Sequence, residues 1–203
     1  MSNWNSSDLR LQFSRVIRDG WLAFFEDAAV KNGFPIEDLL AIASRETNMQ
    51  NIIGDGGRGF GIMQVDIGTN ESFCKSGRWQ DPNMAIGMGT AILASKRNFI
   101  VKNAGQPIHV KAKSGYEETF EMPLIVGESL RRVTIAAYNS GLWASRNFLK
   151  HGDPDRGTTG KDYSKDVIQR STIFKSLLDA FYDEKMQKEH PNSYGRVRRP
   201  VGG

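Results

Sequence analysis

Residues 43–66 read A-S-R-E-T-N-M-Q-N-I-I-G-D-G-G-R-G-F-G-I-M-Q-V-D. A helical pattern enters this stretch and ends at Glu46, and five glycines follow between positions 54 and 61. Two further acids, Asp55 and Asp66, bracket an apolar run. An acid at a helix end that faces two acids across a flexible turn is a candidate catalytic site.

The helix before the glycines places Glu46 beside the protein core. Pro35 suits a first helical position, and an apolar stripe with helical spacing follows it: Ile36, Leu39, Leu40 and Ala43. At 3.6 residues per turn, Glu46 lies at the edge of this stripe and near the helix C-terminus. Partial burial and the negative end of the helix dipole both disfavour the carboxylate, so we expect a raised pKa for Glu46. A general acid needs such a pKa. Position alone, however, favours the interpretation that Glu46 is an exposed residue at the helix end beside Arg45.

The glycine-rich segment matches a nucleotide-binding pattern in form only. Residues 54–59 fit G-x-G-x-x-G, but that motif follows a strand and opens a helix. Here a helix precedes the glycines, and an extended segment at 62–66 follows them. The glycine content also argues against regular structure over 51–61. We therefore predict an irregular loop and then a short extended piece, without a phosphate cradle.

Apolar periodicity predicts helices along most of the remaining chain. The predicted helical spans are 9–32 with a possible interruption at Gly20, 82–102, 128–139, 142–149 and 161–188. Residues 68–83 and 153–160 are interpreted as loops because they lack this periodicity.

One segment, 105–126, alternates on both sides of Ser114-Gly115 and predicts a β-hairpin with ion pairs between a basic and an acidic arm. The fold class is therefore mostly α, of α+β type. We expect one catalytic domain over 1–188, with the hairpin as an insertion, and a flexible basic tail over 189–203.

Composition narrows the functional classes only slightly. The chain has 203 residues and a net charge of +4, which suits a polyanionic partner and equally a plain solvated surface. The single cysteine, Cys74, rules out a disulfide within the chain. The polar N-terminus shows no secretory signal, and no apolar run has transmembrane length, so we expect no membrane span and leave the location open.

The other common catalytic groups lack a recognisable arrangement. His109, His151 and His190 are scattered without metal-ligand spacing, and no P-loop is present, so no metal or other cofactor is expected. No local signature supports Cys74 as a nucleophile. Elimination leaves carboxylate chemistry, with Glu46, Asp55 and Asp66 as the candidates.

Several short motifs follow one another in a recognisable order. They are Ser44-Arg45-Glu46, Gly54-Asp55, G-F-G-I-M-Q-V-D at 59–66, Trp79, G-T-A-I-L at 89–93, A-Y-N at 137–139 with Gly141, Thr158-Thr159, Asp162-Tyr163 and Asp166-Val167. In order and approximate spacing, this set resembles goose-type lysozyme over roughly residues 35–100 and 130–175. The wider relatives are the lytic transglycosylases, which share the Glu, a G-x-M-Q turn and an A-Y-N motif.

The resemblance implies a lysozyme-like, mostly helical fold with a small β-region beside the cleft. The substrate would be the β-1,4 bond between N-acetylmuramic acid and N-acetylglucosamine in peptidoglycan, and the outcome would be bacterial cell-wall lysis. Glu46 would match the general acid, and Asp55 and Asp66 the acids that position and activate water. The sugar-binding groove would be lined by Gln64, Tyr138, Asn139 and Tyr163. We predict inversion at the sugar carbon, a monomer, and no nucleic-acid partner.

Two departures from the bird proteins concern the shape of the cleft. The hairpin at 105–126 replaces what looks like a helical region there, and Asn70 stands where those proteins carry a histidine. The disulfides of some vertebrate members cannot form in this chain.

Three alternatives to the hydrolase remain at this stage. They are a lytic transglycosylase that forms 1,6-anhydro ends, a non-catalytic wall-binding module, and nucleic-acid binding through tail arginines 196, 198 and 199. Because no secretory signal is visible, we expect either export by another route or phage-type release through a membrane lesion.

Overall fold

The computed structural model describes residues 4–112 and 114–189, so the predicted tail lies outside the described residues except for Glu189. Within those ranges the chain forms eight α-helices and two small antiparallel sheets, which confirms the mostly α, α+β class. The helices are α1 Ser6–Arg18, α2 Leu22–Asn32, α3 Ile36–Thr47, α4 Glu71–Lys75, α5 Pro82–Lys102, α6 Gly127–Ser140, α7 Trp143–His151 and α8 Tyr163–Glu189. The strands are β1 Ile53–Gly54, β2 Gly59–Phe60, β3 Val65–Asp66, β4 Pro107–Lys111 and β5 Glu117–Glu121.

The helix that carries Glu46 runs through the main hydrophobic core. Every residue of α3 from 39 to 44 is buried, which is a wider surface than the predicted stripe. The reason is that α3 packs against α8 on one side and α2 on another, with Phe25 and Phe174 among its core neighbours. The break predicted at Gly20 is confirmed, because α1 ends at Arg18 and Gly20 adopts a positive φ of 72° before α2 begins.

The glycine-rich segment forms a three-stranded sheet in the order β1-β2-β3, with each strand two residues long. The prediction of irregular structure over 51–61 was therefore wrong, and residues 62–64 form a turn where an extended piece was expected. The side chain of Gln64 explains two of the glycines. A Cβ atom at either Gly54 or Gly59 would lie 2.2 Å from Gln64 Oε1, so only glycine leaves room for this amide.

The second sheet is the hairpin that the alternating pattern predicted. Strands β4 and β5 pair antiparallel, and the Lys111–Glu117 pair forms a 2.5 Å ion pair, so both the hairpin and its cross-strand charges are confirmed. The inward side chains of the hairpin form a second core with α6 and α7, whose members include Ile108, Val110 and Phe120.

The two predicted loops contain short helical turns. The segment 68–83 includes α4, where Phe73 and Cys74 are buried in a small cluster with Val65. The segment 153–160 includes a 3₁₀ turn at Pro154–Gly157, whose Asp153 side chain accepts a hydrogen bond from the Asp155 N–H. One-turn elements are too short to show helical periodicity, which is why the sequence pattern missed them.

No helix among the described residues is long and apolar enough to cross a membrane.

Gly87 and Gly89 provide a matched pair of substitutions within α5. A Cβ atom at Gly89 would lie 2.6 Å from Met63 Cβ and 3.0 Å from Tyr138 Oη, whereas one at Gly87 meets nothing within 4 Å. We expect Gly89→Ala to lower the free energy of unfolding by about 1–3 kcal/mol through overpacking. Gly87→Ala should raise it by about 0.5–1 kcal/mol, because alanine favours the helix. Urea unfolding followed by circular dichroism measures both, and equal effects would contradict the close packing at Gly89.

Candidate active site

A cleft of about 780 Å³ contains all seven residues that the sequence singled out. Its first wall comes from the end of α3 and the three-stranded sheet, and its second from the C-terminus of α6 and the first residue of α8. The seven are Glu46, Asp55, Gln64, Asp66, Tyr138, Asn139 and Tyr163. The cleft is also lined by residues that were not assigned to the site from sequence, among them Arg45, Arg58, Ile92 and Lys96.

Glu46 combines burial with a specific hydrogen bond. Its side chain is half-buried one residue before the end of α3, and the Tyr163 hydroxyl donates to its Oε1. Burial raises the pKa of Glu46 to about 7, an effect opposed by the Tyr163 hydrogen bond and by the positive charge of Arg45, and reinforced by the negative charge of Asp55. The raised pKa agrees with the expectation from the helix pattern. A carboxyl group with this pKa can hold a proton near neutral pH and release it during a reaction.

Two buried tyrosine hydroxyls fix the surroundings of Glu46. Burial and the nearby Glu46 raise the pKa of both Tyr138 and Tyr163 well above the ordinary value, so both hydroxyls remain donors. Tyr138 Oη donates to the Met63 carbonyl at 2.8 Å and thereby joins α6 to the turn after β2. Tyr163 joins α8 to Glu46 in the same way.

The two aspartates of the sheet differ in their partners. Asp66 accepts a hydrogen bond from Arg58 Nη2 at 2.9 Å, and this ion pair is largely exposed. Asp55 is exposed at the start of a 3₁₀ turn with a φ of 48°, and its side chain has no ion pair or hydrogen bond within the described residues. Its charge acts on Glu46, as the raised pKa of that group reflects. Of the two aspartates, Asp55 is therefore the one with an unengaged carboxylate near Glu46.

The four residues predicted to bind sugar line the cleft, but their polar atoms are largely engaged within the protein. Gln64 Nε2 donates to the carbonyls of Gly61 at 2.8 Å and Ile52 at 3.2 Å. Asn139 Oδ1 accepts from the Thr159 N–H at 3.0 Å, and both tyrosine hydroxyls have the partners described above. These contacts show that the four residues hold the walls in place, and their role in binding sugar stays a prediction.

A buried charge network lies behind Glu46 and was missed from sequence. Arg45 Nη1 donates to Asp166 Oδ2 at 3.0 Å, and Arg170 Nε donates to the same oxygen at 2.9 Å. Arg170 Nη1 also donates to the Ser44 hydroxyl at 2.7 Å. Arg45 lies over the Tyr163 ring at 5.7 Å and therefore connects this network to the partner of Glu46. From sequence, Ser44, Arg45 and Asp166 were noted as members of family motifs, and Arg170 was not singled out.

Within 4–112 and 114–189, no group of three or more His, Cys, Asp or Glu side chains is arranged to hold a metal ion. The carboxylate side chains that line the cleft are those of Glu46, Asp55 and Asp66.

The fold and the cleft define a mostly helical α+β protein with a protonatable Glu beside two aspartates. No protein-family model matches the chain. It is 31% identical over 141 residues to lysozyme G of Dromaius novaehollandiae, covering 68% of this chain and 57% of that protein. It is 26% identical over 187 residues to lysozyme g of Takifugu rubripes, covering 86% and 84%. A glycine, glutamate and proline-rich protein of Lottia gigantea is 32% identical over 142 residues, covering 66% and 29%.

The chain is related to the g-type lysozymes. It spans 29% and 57% of the lengths of the Lottia and Dromaius relatives.

Proposed function

We propose that this protein is a peptidoglycan hydrolase that cleaves the β-1,4 bond between N-acetylmuramic acid and N-acetylglucosamine. The observation that carries the proposal is the Glu46 carboxyl, whose pKa is raised to about 7 in a cleft that also contains Asp55 and Asp66. Glycoside hydrolysis requires a carboxylic acid on one side of the bond and a carboxylate on the other. The relationship to proteins named lysozyme g supports the same reaction.

In the proposed mechanism, Glu46 donates its proton to the glycosidic oxygen as the bond to the sugar carbon breaks. A water molecule attacks that carbon from the opposite face and passes its proton to a carboxylate. The unengaged Asp55 suits the role of base, while Asp66, held by Arg58, suits positioning of the water. An inverting reaction requires an acid and a base about 6.5–9.5 Å apart.

Because the acid must be protonated, activity should decline as the pH rises through about 7.

The proposed site belongs to a single catalytic domain over 1–188 that acts as a monomer on glycan strands. Residues between Arg45 and Tyr163 line one cleft, which supports the single domain. The hairpin would then be an insertion beside the cleft.

A digest of purified peptidoglycan tests the reaction and its mechanism together. We expect mass spectrometry to find muropeptides with ordinary reducing ends, and proton NMR of the first product to find the α-anomer that inversion of a β-bond produces. Products with 1,6-anhydro ends would instead identify a lytic transglycosylase. Binding to peptidoglycan without release of soluble fragments would identify a non-catalytic wall-binding module.

A further inference from the structure

Three cationic side chains line the cleft, and they differ in their partners. Arg45 forms ion pairs with Asp162 at 3.2 Å and Asp166 at 3.0 Å, and Arg58 forms one with Asp66 at 2.9 Å. Lys96 is half-buried and has no ion pair or hydrogen bond with any residue that the structure describes. Within that part of the chain, Lys96 is thus the cleft cation whose charge is available to a ligand.

The position of Lys96 on α5 places it away from the reacting bond. Gly89 lies against Met63 and the Tyr138 hydroxyl, next to the proposed catalytic centre. Ile92 and Lys96 follow Gly89 by three and seven residues, so the three share one face of the helix, and Ile92 and Lys96 both line the cleft. Seven residues of α-helix span about 10 Å. Lys96 therefore faces a part of the cleft that flanks the centre, where a neighbouring sugar of the polymer would lie.

We propose that Lys96 binds a carboxylate carried by the muramic acid side of the glycan and thereby selects anionic strands over neutral ones. The inference rests on the proposed function and specifies its substrate. N-acetylglucosamine is uncharged, whereas N-acetylmuramic acid carries a lactyl ether that ends in a carboxyl group or in a peptide bearing carboxylates. A lysine ammonium in a partly desolvated cleft forms charge-assisted hydrogen bonds with such a group.

Three preparations of one glycan distinguish the sources of the carboxylate. The first retains its stem peptides, the second has been stripped of them by an amidase so that the lactyl carboxylate is free, and the third is the stripped strand with that carboxylate converted to a neutral methylamide. Lys96→Gln, Lys96→Arg and the wild type are compared on each by initial rates. Lys102→Gln, on the exposed side of α5 outside the cleft, is the matched control.

We expect Lys96→Gln to lower kcat/KM about tenfold, mainly through KM, on the preparation that carries the contacted carboxylate. A loss confined to the peptide-bearing strand identifies a stem-peptide carboxylate, and a loss confined to the stripped strand identifies the lactyl group. On the neutral strand, Lys96→Gln and the wild type should have the same kcat/KM. Lys96→Arg should retain most of the wild-type activity on all three preparations. Equal losses on all three preparations, or no loss on any, would overturn the proposal. A wild-type protein inactive on every preparation would instead contradict the proposed function.

Discussion

Replacing Glu46 by Gln is expected to reduce kcat on peptidoglycan by about 10³-fold while the protein stays folded. The amide has nearly the shape of the carboxyl group and can still contact the Tyr163 hydroxyl, but it cannot donate a proton to the leaving oxygen. Release of soluble muropeptides measures the loss. The control is Glu184→Gln, which should leave the rate unchanged, because Glu184 is exposed on α8 and its ion pair among the described residues is with Lys188.

The same substitution should change stability in a pH-dependent way. The pKa of Glu46 is about 7 in the folded protein against an ordinary value of 4.5, so folding favours the protonated form. The stability contributed by that protonated group is fully present below about pH 4.5 and is lost as the pH rises through about 7. At pH 8 the wild type therefore has a deficit of roughly 3 kcal/mol, which Glu46→Gln removes.

Urea unfolding at pH 4 and pH 8 measures this effect. We expect Glu46→Gln to be more stable than the wild type at pH 8, with most of that gain absent at pH 4. The Glu184→Gln control should differ from the wild type by less than about 0.5 kcal/mol at either pH. A lower stability of Glu46→Gln at pH 8, together with full lytic activity, would contradict both the burial of the charge and its proposed role.

Local patterns in the sequence predicted the long elements and the acid. Helix α5 runs from Pro82 to Lys102, as its pattern indicated, because Asp81 caps its first turn and Pro82 suits the first helical position. The raised pKa of Glu46 followed from its place on α3. The three two-residue strands could not be predicted, because two residues show no alternation and the packing of Gln64 on two glycines requires the folded turn.

The surroundings of the acid depend on contacts between distant parts of the chain. Tyr163 reaches Glu46 across 117 positions, and Arg170 reaches Ser44 across 126. No periodicity relates such residues, and α3 meets α8 only because both bury apolar surfaces in one core. The resemblance placed Tyr163 in the groove by its motif alone. It gave no indication that Lys96 would line the cleft without an ion pair or hydrogen bond to any of the described residues.

Asp166 at the start of α8 should be the most sensitive residue of the buried charge network. Its carboxylate accepts hydrogen bonds from Trp4 Nε1 at 2.5 Å, Arg45 Nη1 at 3.0 Å and Arg170 Nε at 2.9 Å. Asp166→Ala leaves Arg170, which is 3% exposed, in the core without this counter-charge. Removing one partner of a buried ion pair typically costs about 3–5 kcal/mol, so we expect a loss of unfolding free energy of that size.

The substitution should also reduce activity, because Arg45 loses one of its two carboxylate anchors beside Tyr163 and Glu46. A displacement of about 1 Å at a reacting group can cost about a hundredfold in rate. Urea unfolding and initial rates measure the two effects. The control is Asp179→Ala, which breaks an exposed ion pair on the same helix and should change the free energy of unfolding by less than about 1 kcal/mol.

If Asp166→Ala does not fold, the double variant Asp166→Leu with Arg170→Met removes both charges and should recover much of the stability. Equal stabilities of Asp166→Ala and Asp179→Ala would show that the buried network does not hold α3 and α8 together at the cleft.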